Sequence, residues 1–203
     1  MKFKLLYTLT LSFFVHFAFA QQLVQQGNQW NAATYPFFSP VTTSQSLLVG
    51  EDTTINDLSY HRLYYSGDSL NTEWIPTSNF LRQEGKKVYF KEEVFEESLL
   101  YDFGMEVGDT LQYEDCTLFI AEVDTVFLNN GEARKRLKID VADSEPWHIG
   151  AYEYWVDGIG SISGGLISHF DFCYTDYLVG FLCFYQDGDL LYPEAPPTCF
   201  IVN

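Results

Sequence analysis

The stretch from Thr117 to Val141 leaves this chain little choice of fold. Thr117-Leu118-Phe119-Ile120-Ala121-Glu122-Val123-Asp124-Thr125-Val126-Phe127-Leu128 is rich in β-branched and aromatic residues, which suit a pleated, half-buried surface. Asn129-Asn130-Gly131 follows, and Asn and Gly tolerate the positive φ angles of a tight reversal. The return arm, 133–141, sets Leu137, Ile139 and Val141 on one face. Arg134 and Arg136 point one way and Lys135 the other, so this basic patch is expected to pair with neighbouring acids rather than with a polyanion.

The same pattern recurs along the chain. Residues 58–65 alternate, with Leu58, Tyr60, Arg62 and Tyr64 on one face, and end in the turn Ser66-Gly67-Asp68. Residues 80–83 and 86–91 flank Glu84-Gly85 as a hairpin. Residues 97–103 form a short strand before the turn at 107–110, and 177–185 and 190–192 flank a turn at 186–189. Aromatic residues make up 18% of the chain, a supply that favours strands over helices. The expected fold is all-β: an antiparallel meander forming a barrel-like or sandwich domain, with at most one or two short helices. Residues 91–100 and 38–46 are the candidates for those helices.

Residues 1–20 read as a cleaved secretory signal peptide. Lys2 and Lys4 precede an apolar run, and Ala18-Phe19-Ala20 makes a small-x-small cleavage site. The run is short for a membrane span and is interrupted by Thr8, Thr10, Ser12 and His16. No cysteine follows the cleavage point, which argues against a lipid anchor there. Residues 21–203 are then expected to form a single β-rich domain with a proline-containing tail, 193–203, and no membrane insertion after cleavage. The net charge of −17 repels phosphate backbones, so nucleic acid is not expected as a partner.

An exported chain meets oxidising conditions, so Cys116, Cys173, Cys183 and Cys199 are read as disulfide candidates. The preferred pairing is Cys183 with Cys199, tying the tail to the last hairpin, which leaves Cys116 with Cys173. No CxxC pair occurs and no His lies at ligand spacing from a Cys, so no metal site is expected.

The glycine-rich segment Gly158-Ile159-Gly160-Ser161-Ile162-Ser163-Gly164-Gly165 invites a phosphate-loop reading. It lacks the Lys of a P-loop, and the sixth position of its GxGxxG start is Ser163. No helix follows it, as a dinucleotide fold requires. Gly158, Gly160, Gly164 and Gly165 are therefore read as a structural loop whose glycines permit unusual backbone angles or close strand approach. No GxSxG elbow is present, and His61, His148 and His169 lie in no metal motif; Trp147-His148 reads as a partly buried surface pair. Glu92, Glu93, Glu96 and Glu97 read as a solvated face, and Asp187-Gly188-Asp189 as a hairpin turn rather than a calcium loop. No catalytic, cofactor-binding or metal residue is assigned.

Several stretches together, in this order, resemble a known domain. They are Gly50-Glu51-Asp52-Thr53-Thr54-Ile55-Asn56 with Tyr60-His61-Arg62-Leu63-Tyr64; Leu81-Arg82-Gln83 with Lys87-Val88-Tyr89; Leu99-Leu100-Tyr101-Asp102-Phe103 with Val107-Gly108-Asp109-Thr110; Val156-Asp157-Gly158-Ile159-Gly160-Ser161; and Leu182-Cys183-Phe184 with Asp187-Gly188 and Leu191-Tyr192. The set resembles a domain common in exported proteins of Bacteroidota, often found upstream of a type IX secretion C-terminal sorting domain. The resemblance implies export and an acidic residue before Gly-Ile-Gly-Ser, which Asp157 supplies; it carries no activity and no site residues. The chain ends at Asn203 without room for the sorting domain, so periplasmic release, or outward passage by another route, is expected beside surface attachment. The functional expectation is an exported, non-catalytic binding or structural domain with an unknown ligand or protein partner. A secreted hydrolase acting on polysaccharide or peptide and a calcium-dependent adhesion module stand as alternatives.

Overall fold

The computed structural model describes residues 22–36, 41–113, 116–142, 152–167, 177–193 and 198–201. Among these the chain forms strands β1 (Gln29–Pro36), β2 (Thr43–Ile55), β3 (Leu58–Ser66), β4 (Ile75–Glu84), β5 (Lys87–Glu92), β6 (Ser98–Asp102), β7 (Thr110–Tyr113), β8 (Cys116–Phe127), β9 (Ala133–Val141), β10 (Tyr152–Val156), β11 (Gly160–Ser161), β12 (Tyr177–Gln186) and β13 (Asp189–Tyr192). They make two curled antiparallel sheets, ordered β13-β12-β1-β2-β3-β4-β5-β6 and β11-β10-β9-β8-β7. The all-β expectation holds.

Both sheets are meanders because their turns are chemically specified. Asn56 (φ 50°) and Asp57 (φ 64°) close the β2–β3 hairpin, and Asp187 (φ 51°) with Gly188 (φ 89°) closes β12–β13. Two successive positive φ angles match the twist of the strands they join. Among the described residues, the larger sheet departs from this order where β12 returns to pair with β1 on the side away from β2.

The helix expected within 91–100 is not formed. Lys91 and Glu92 end β5, Phe95 N–H donates to Glu92 O at 3.3 Å in a turn, and 98–102 pair with β5 as β6. Cross-strand pairing overrides a weak helical pattern here. Of the second candidate, residues 38–40 lie outside the described residues, and 43–46 belong to β2.

One apolar cluster fills the space between the sheets. Trp30, Val49, Leu63, Leu81, Val88 and Tyr101 come from the larger sheet, and Leu118, Ile120, Leu137, Ile139 and Trp155 from the smaller. The Tyr101 and Trp155 rings meet edge to face at 4.9 Å, and Phe103 stacks on Tyr101 at 5.5 Å. Aromatic pairs of this kind contribute about 0.5–1.5 kcal/mol each beyond the area they bury.

The glycine segment lies within this core. Val156 pairs with Gly160 across the turn at 157–159, and every residue from Trp155 to Ser161 is buried. Side chains of the larger sheet reach its backbone. Trp30 Nε1–H donates to Ile159 O at 2.7 Å, Tyr101 Oη–H donates to Leu166 O at 2.5 Å, and Tyr101 Oη accepts from Ser161 N–H at 3.2 Å. Gly160 has φ 93°, and a Cβ there would stand 3.1 Å from Tyr101 Cζ and 3.2 Å from Leu23 Cδ1.

Cys183 and Cys199 are joined by a disulfide, as the sequence reading preferred. It holds the tail against the first two strands, where Asn31 Nδ2–H donates to Cys199 O at 3.0 Å and Ile201 N–H donates to Ser44 Oγ at 2.8 Å. The other pairing, Cys116 with Cys173, rests on the Cys116 side chain and on Cys173, which lie outside the described residues.

Two stability predictions follow from these features. Gly160→Ala combines a strained φ, about 1–3 kcal/mol, with crowding against Tyr101. It is expected to lose at least about 2 kcal/mol in denaturant unfolding, whereas Gly85→Ala, with open space around its Cβ position, loses about 1 kcal/mol. Replacing both Cys183 and Cys199 by Ala opens a loop with a sequence separation of 16 and is expected to cost about 3 kcal/mol, read from the shift in unfolding midpoint without reductant.

Candidate functional site

The outer face of the larger sheet carries an unusual set of side chains. On β3, Leu63 faces the core, so Tyr60, Arg62 and Tyr64 face outward. On β4 the core residue is Leu81, which turns Phe80 and Arg82 outward. Arginines then lie on aromatic rings. The Arg62 guanidinium sits 4.9 Å from the Phe80 ring centre, and that of Arg82 sits 4.2 Å from Tyr89 and 6.0 Å from Tyr60.

Arg82 anchors the best-bonded cluster on this face. Its Nε–H and Nη2–H donate to the two Glu97 carboxylate oxygens at 2.9 and 2.6 Å, and Tyr60 Oη–H donates to Glu97 Oε2 at 2.6 Å. The Arg82 hydrogen bonds hold the Glu97 carboxyl below the usual carboxylate range, against partial burial. Burial and then Glu97 push the Tyr60 phenol up. Of the four acids read as a solvated face, Glu97 is thus committed, while Glu92, Glu93 and Glu96 are exposed beside exposed Val94 and Phe95.

Arg62 occupies a different setting, because both neighbouring strands bulge around it. Toward β2, Val49 pairs with Leu63 and Asp52 with His61, so Gly50 and Glu51 together oppose Arg62. Toward β4, Arg62 pairs with Phe80 but Tyr64 pairs with Pro76, so the chain from Thr77 to Asn79 swings out of the ladder. Thr77 Oγ1–H bonds back to Leu63 O at 2.7 Å and Arg62 Nη1–H donates to Thr77 O at 3.2 Å. The Cδ2–Cε2 edge of the Tyr64 ring lies against Gly50, where any Cβ would collide with it. Tyr64 Oη–H donates to Glu51 Oε1 at 2.5 Å, which lowers the Glu51 carboxyl pKa and raises that of the phenol. His61 Nδ1 sits 2.9 Å from Gly50 O, across the same bulge.

These two bulges open a depression of about 360 Å³ lined by Glu51, Asp52, Thr53, Arg62, Tyr64 and Pro76. Bulges recur beside functional sites because they re-aim side chains without breaking the sheet. A second hollow, of about 390 Å³, lies where edge strands β6 and β7 approach, lined by Leu99, Asp102, Met105, Asp109, Thr110 and Leu111.

The residues singled out by sequence lie elsewhere. Gly158 and Gly160 take φ of 80° and 93° inside the core, and Gly164 N–H donates to Ser161 Oγ at 2.9 Å. Gly164 and Gly165 are buried. Asp157, also buried, pairs with Lys86 of the β4–β5 turn, and its C=O accepts from Arg134 Nη1–H at 3.2 Å. Arg134, Lys135 and Arg136 pair with Glu132, Glu106 and Asp124. His148 and His169 lie outside the described residues. Among the described residues, no group of three His, Cys, Asp or Glu side chains gathers where it could hold a metal ion. In the sequence the double-bulge depression is signalled by Gly50-Glu51 interrupting an apolar strand opposite Tyr60, Arg62 and Tyr64.

No family model matches this chain, and no curated protein sequence or solved structure is similar to it.

The Glu97 cluster has a definite pH signature. The folded pKa of Glu97 lies below its unfolded value, so its contribution is complete above the ordinary carboxylate pKa. It is lost as pH falls through the depressed folded value. Glu97→Gln is expected to cost about 1.5–3 kcal/mol at neutral pH, the range for hydrogen bonds to charged groups. The variant's stability should fall less steeply with acid than the wild type's, in denaturant unfolding followed from neutral to acid pH.

Proposed function

We propose that this protein is an exported, non-catalytic binding domain whose ligand surface is the outer face of the larger sheet. The observation that carries this reading is the state of its acids. Glu51, Asp68, Glu97 and Asp124 are all held below the usual carboxylate range by the hydrogen bonds they accept. A glycoside hydrolase needs one carboxyl with a raised pKa to protonate its leaving group. Glu51 and Glu97, the two of these that lie on this face, are instead held as anions that accept hydrogen bonds, which suits recognition. The depression at the double bulge lies in the lower part of the size range of small-molecule sites, about 300–1,000 Å³.

Export rests on the signal-peptide features of residues 1–20, and the Cys183–Cys199 bond is in keeping with an oxidising compartment.

Purified protein incubated with soluble polysaccharides and with casein is expected to release neither reducing ends nor free amines over the buffer control. Release that persists through purification and is lost on Glu51→Gln or Glu97→Gln would replace this reading with the hydrolase.

A further inference from the structure

The geometry points to the double-bulge depression as a binding site for a neutral saccharide, with Tyr64 as the stacking platform and Arg62 and Glu51 as the hydrogen-bonding pair. This rests on the reading of the outer face as a ligand surface and names the class of ligand.

Charge sets the first limit. The lining holds two carboxylates, Glu51 and Asp52, and one guanidinium, Arg62, on a chain of net charge −17. An anionic ligand meets net repulsion there. A compact cation meets Arg62 in the same small space. A neutral ligand rich in hydroxyls avoids both costs and uses donor and acceptor together, because each hydroxyl can donate to a carboxylate and accept from a guanidinium.

Unspent hydrogen-bonding capacity sets the second. Arg62 commits Nη1 to Thr77 O and sits 4.9 Å from the Phe80 ring centre, and among the described residues Nε and Nη2 donate to no partner. Glu51 accepts the Tyr64 hydroxyl on Oε1 and a hydrogen bond from its own backbone N–H, and as a carboxylate anion with more than two lone-pair sites it keeps acceptor capacity. Donor and acceptor are both held by partners before any ligand arrives, so little ordering is required on binding.

Shape sets the third. The Cδ2–Cε2 edge of the Tyr64 ring is braced against Gly50, the residue without a side chain at the bulge, and Tyr64 itself lines the hollow. A flat ring so supported offers an apolar plane against which the C–H face of a pyranose can lie, while its hydroxyls reach the rim. Pro76, paired with Tyr64 across the bulged β3–β4 ladder, adds a second rigid apolar wall. Gly50 therefore has a part in the site as well as in the strand: any side chain there would lift the platform.

Isothermal titration calorimetry on the full chain tests this. The panel is neutral gluco-, manno- and galacto-oligosaccharides, the matching oligouronates, and the zwitterion glycylglycine. Binding of a neutral member is expected, weakened at least tenfold by Tyr64→Ala and by Arg62→Ala and unchanged by Phe95→Ala. Tyr64→Phe, which keeps the platform and loses the Glu51 hydrogen bond, should retain more affinity than Tyr64→Ala, so a loss through misfolding is told from a loss of stacking. Thermal unfolding of each variant is measured alongside.

Binding of oligouronates or glycylglycine instead, lost with Arg62→Ala, would overturn the neutral class and leave the binding reading standing. Neutral binding unaffected by Tyr64→Ala and Arg62→Ala would overturn this site. Absence of binding across the panel at millimolar concentration would overturn the saccharide assignment. Appearance of new reducing ends in the cell would overturn the non-catalytic reading itself.

Discussion

The structure depends on a reversal of the backbone placed where backbone is hardest to accommodate. The turn from Val156 to Gly160 lies in the apolar interior, so each of its amide groups needs a partner there. Ile159 offers its carbonyl to Trp30, and Ser161 its N–H to Tyr101, so aromatic side chains of one sheet satisfy the backbone of the other. Gly160 makes this feasible by taking a φ closed to other residues and by leaving room for the Tyr101 ring. The two half-barrels are thereby fixed by directed hydrogen bonds as well as by apolar contact, which does not specify alignment.

Charge is handled in the opposite way on the outside. A chain with 28 acids and 11 Lys and Arg could have used its few cations as isolated surface charges. Instead Arg62, Arg82 and Arg136 each lie on an aromatic ring. Arg82 and Arg136 also take up a carboxylate with two nitrogens each. Such an arrangement holds long side chains in one conformation, so the face of the sheet is stiff as well as polar. Arg62 differs in that the bulges on either side remove the neighbours that would have consumed its remaining donors.

How far the sequence could be read depended on whether local chemistry decided the outcome. The Asn129-Asn130-Gly131 reversal, the Gly85 hairpin and the Asp187-Gly188 turn are local, and alternation sets Leu137, Ile139 and Val141 on one face, which is the face that packs on the core. The glycine segment was legible as structural because its Lys and helix were missing, but nothing in it revealed Trp30 and Tyr101 as partners more than fifty residues away. Strands β1 and β2 were harder, since Gln29–Pro36 lacks a strong alternating pattern and gains its pairing only when β12 and β2 flank it. The depression around Arg62 was invisible for a related reason. A bulge is a mismatch between two strands, and a single chain read in order shows neither the mismatch nor the residue opposite it.

The pairing of β1 with β12 has a bearing on how the molecule comes into being. A chain made from its amino end presents β1 almost first and β12 almost last, so the larger sheet keeps an open flank throughout synthesis. Contacts between such distant segments form late and slowly. The larger sheet is thus completed only once its trailing hairpin is free, with the Cys183–Cys199 bond as a final latch on it.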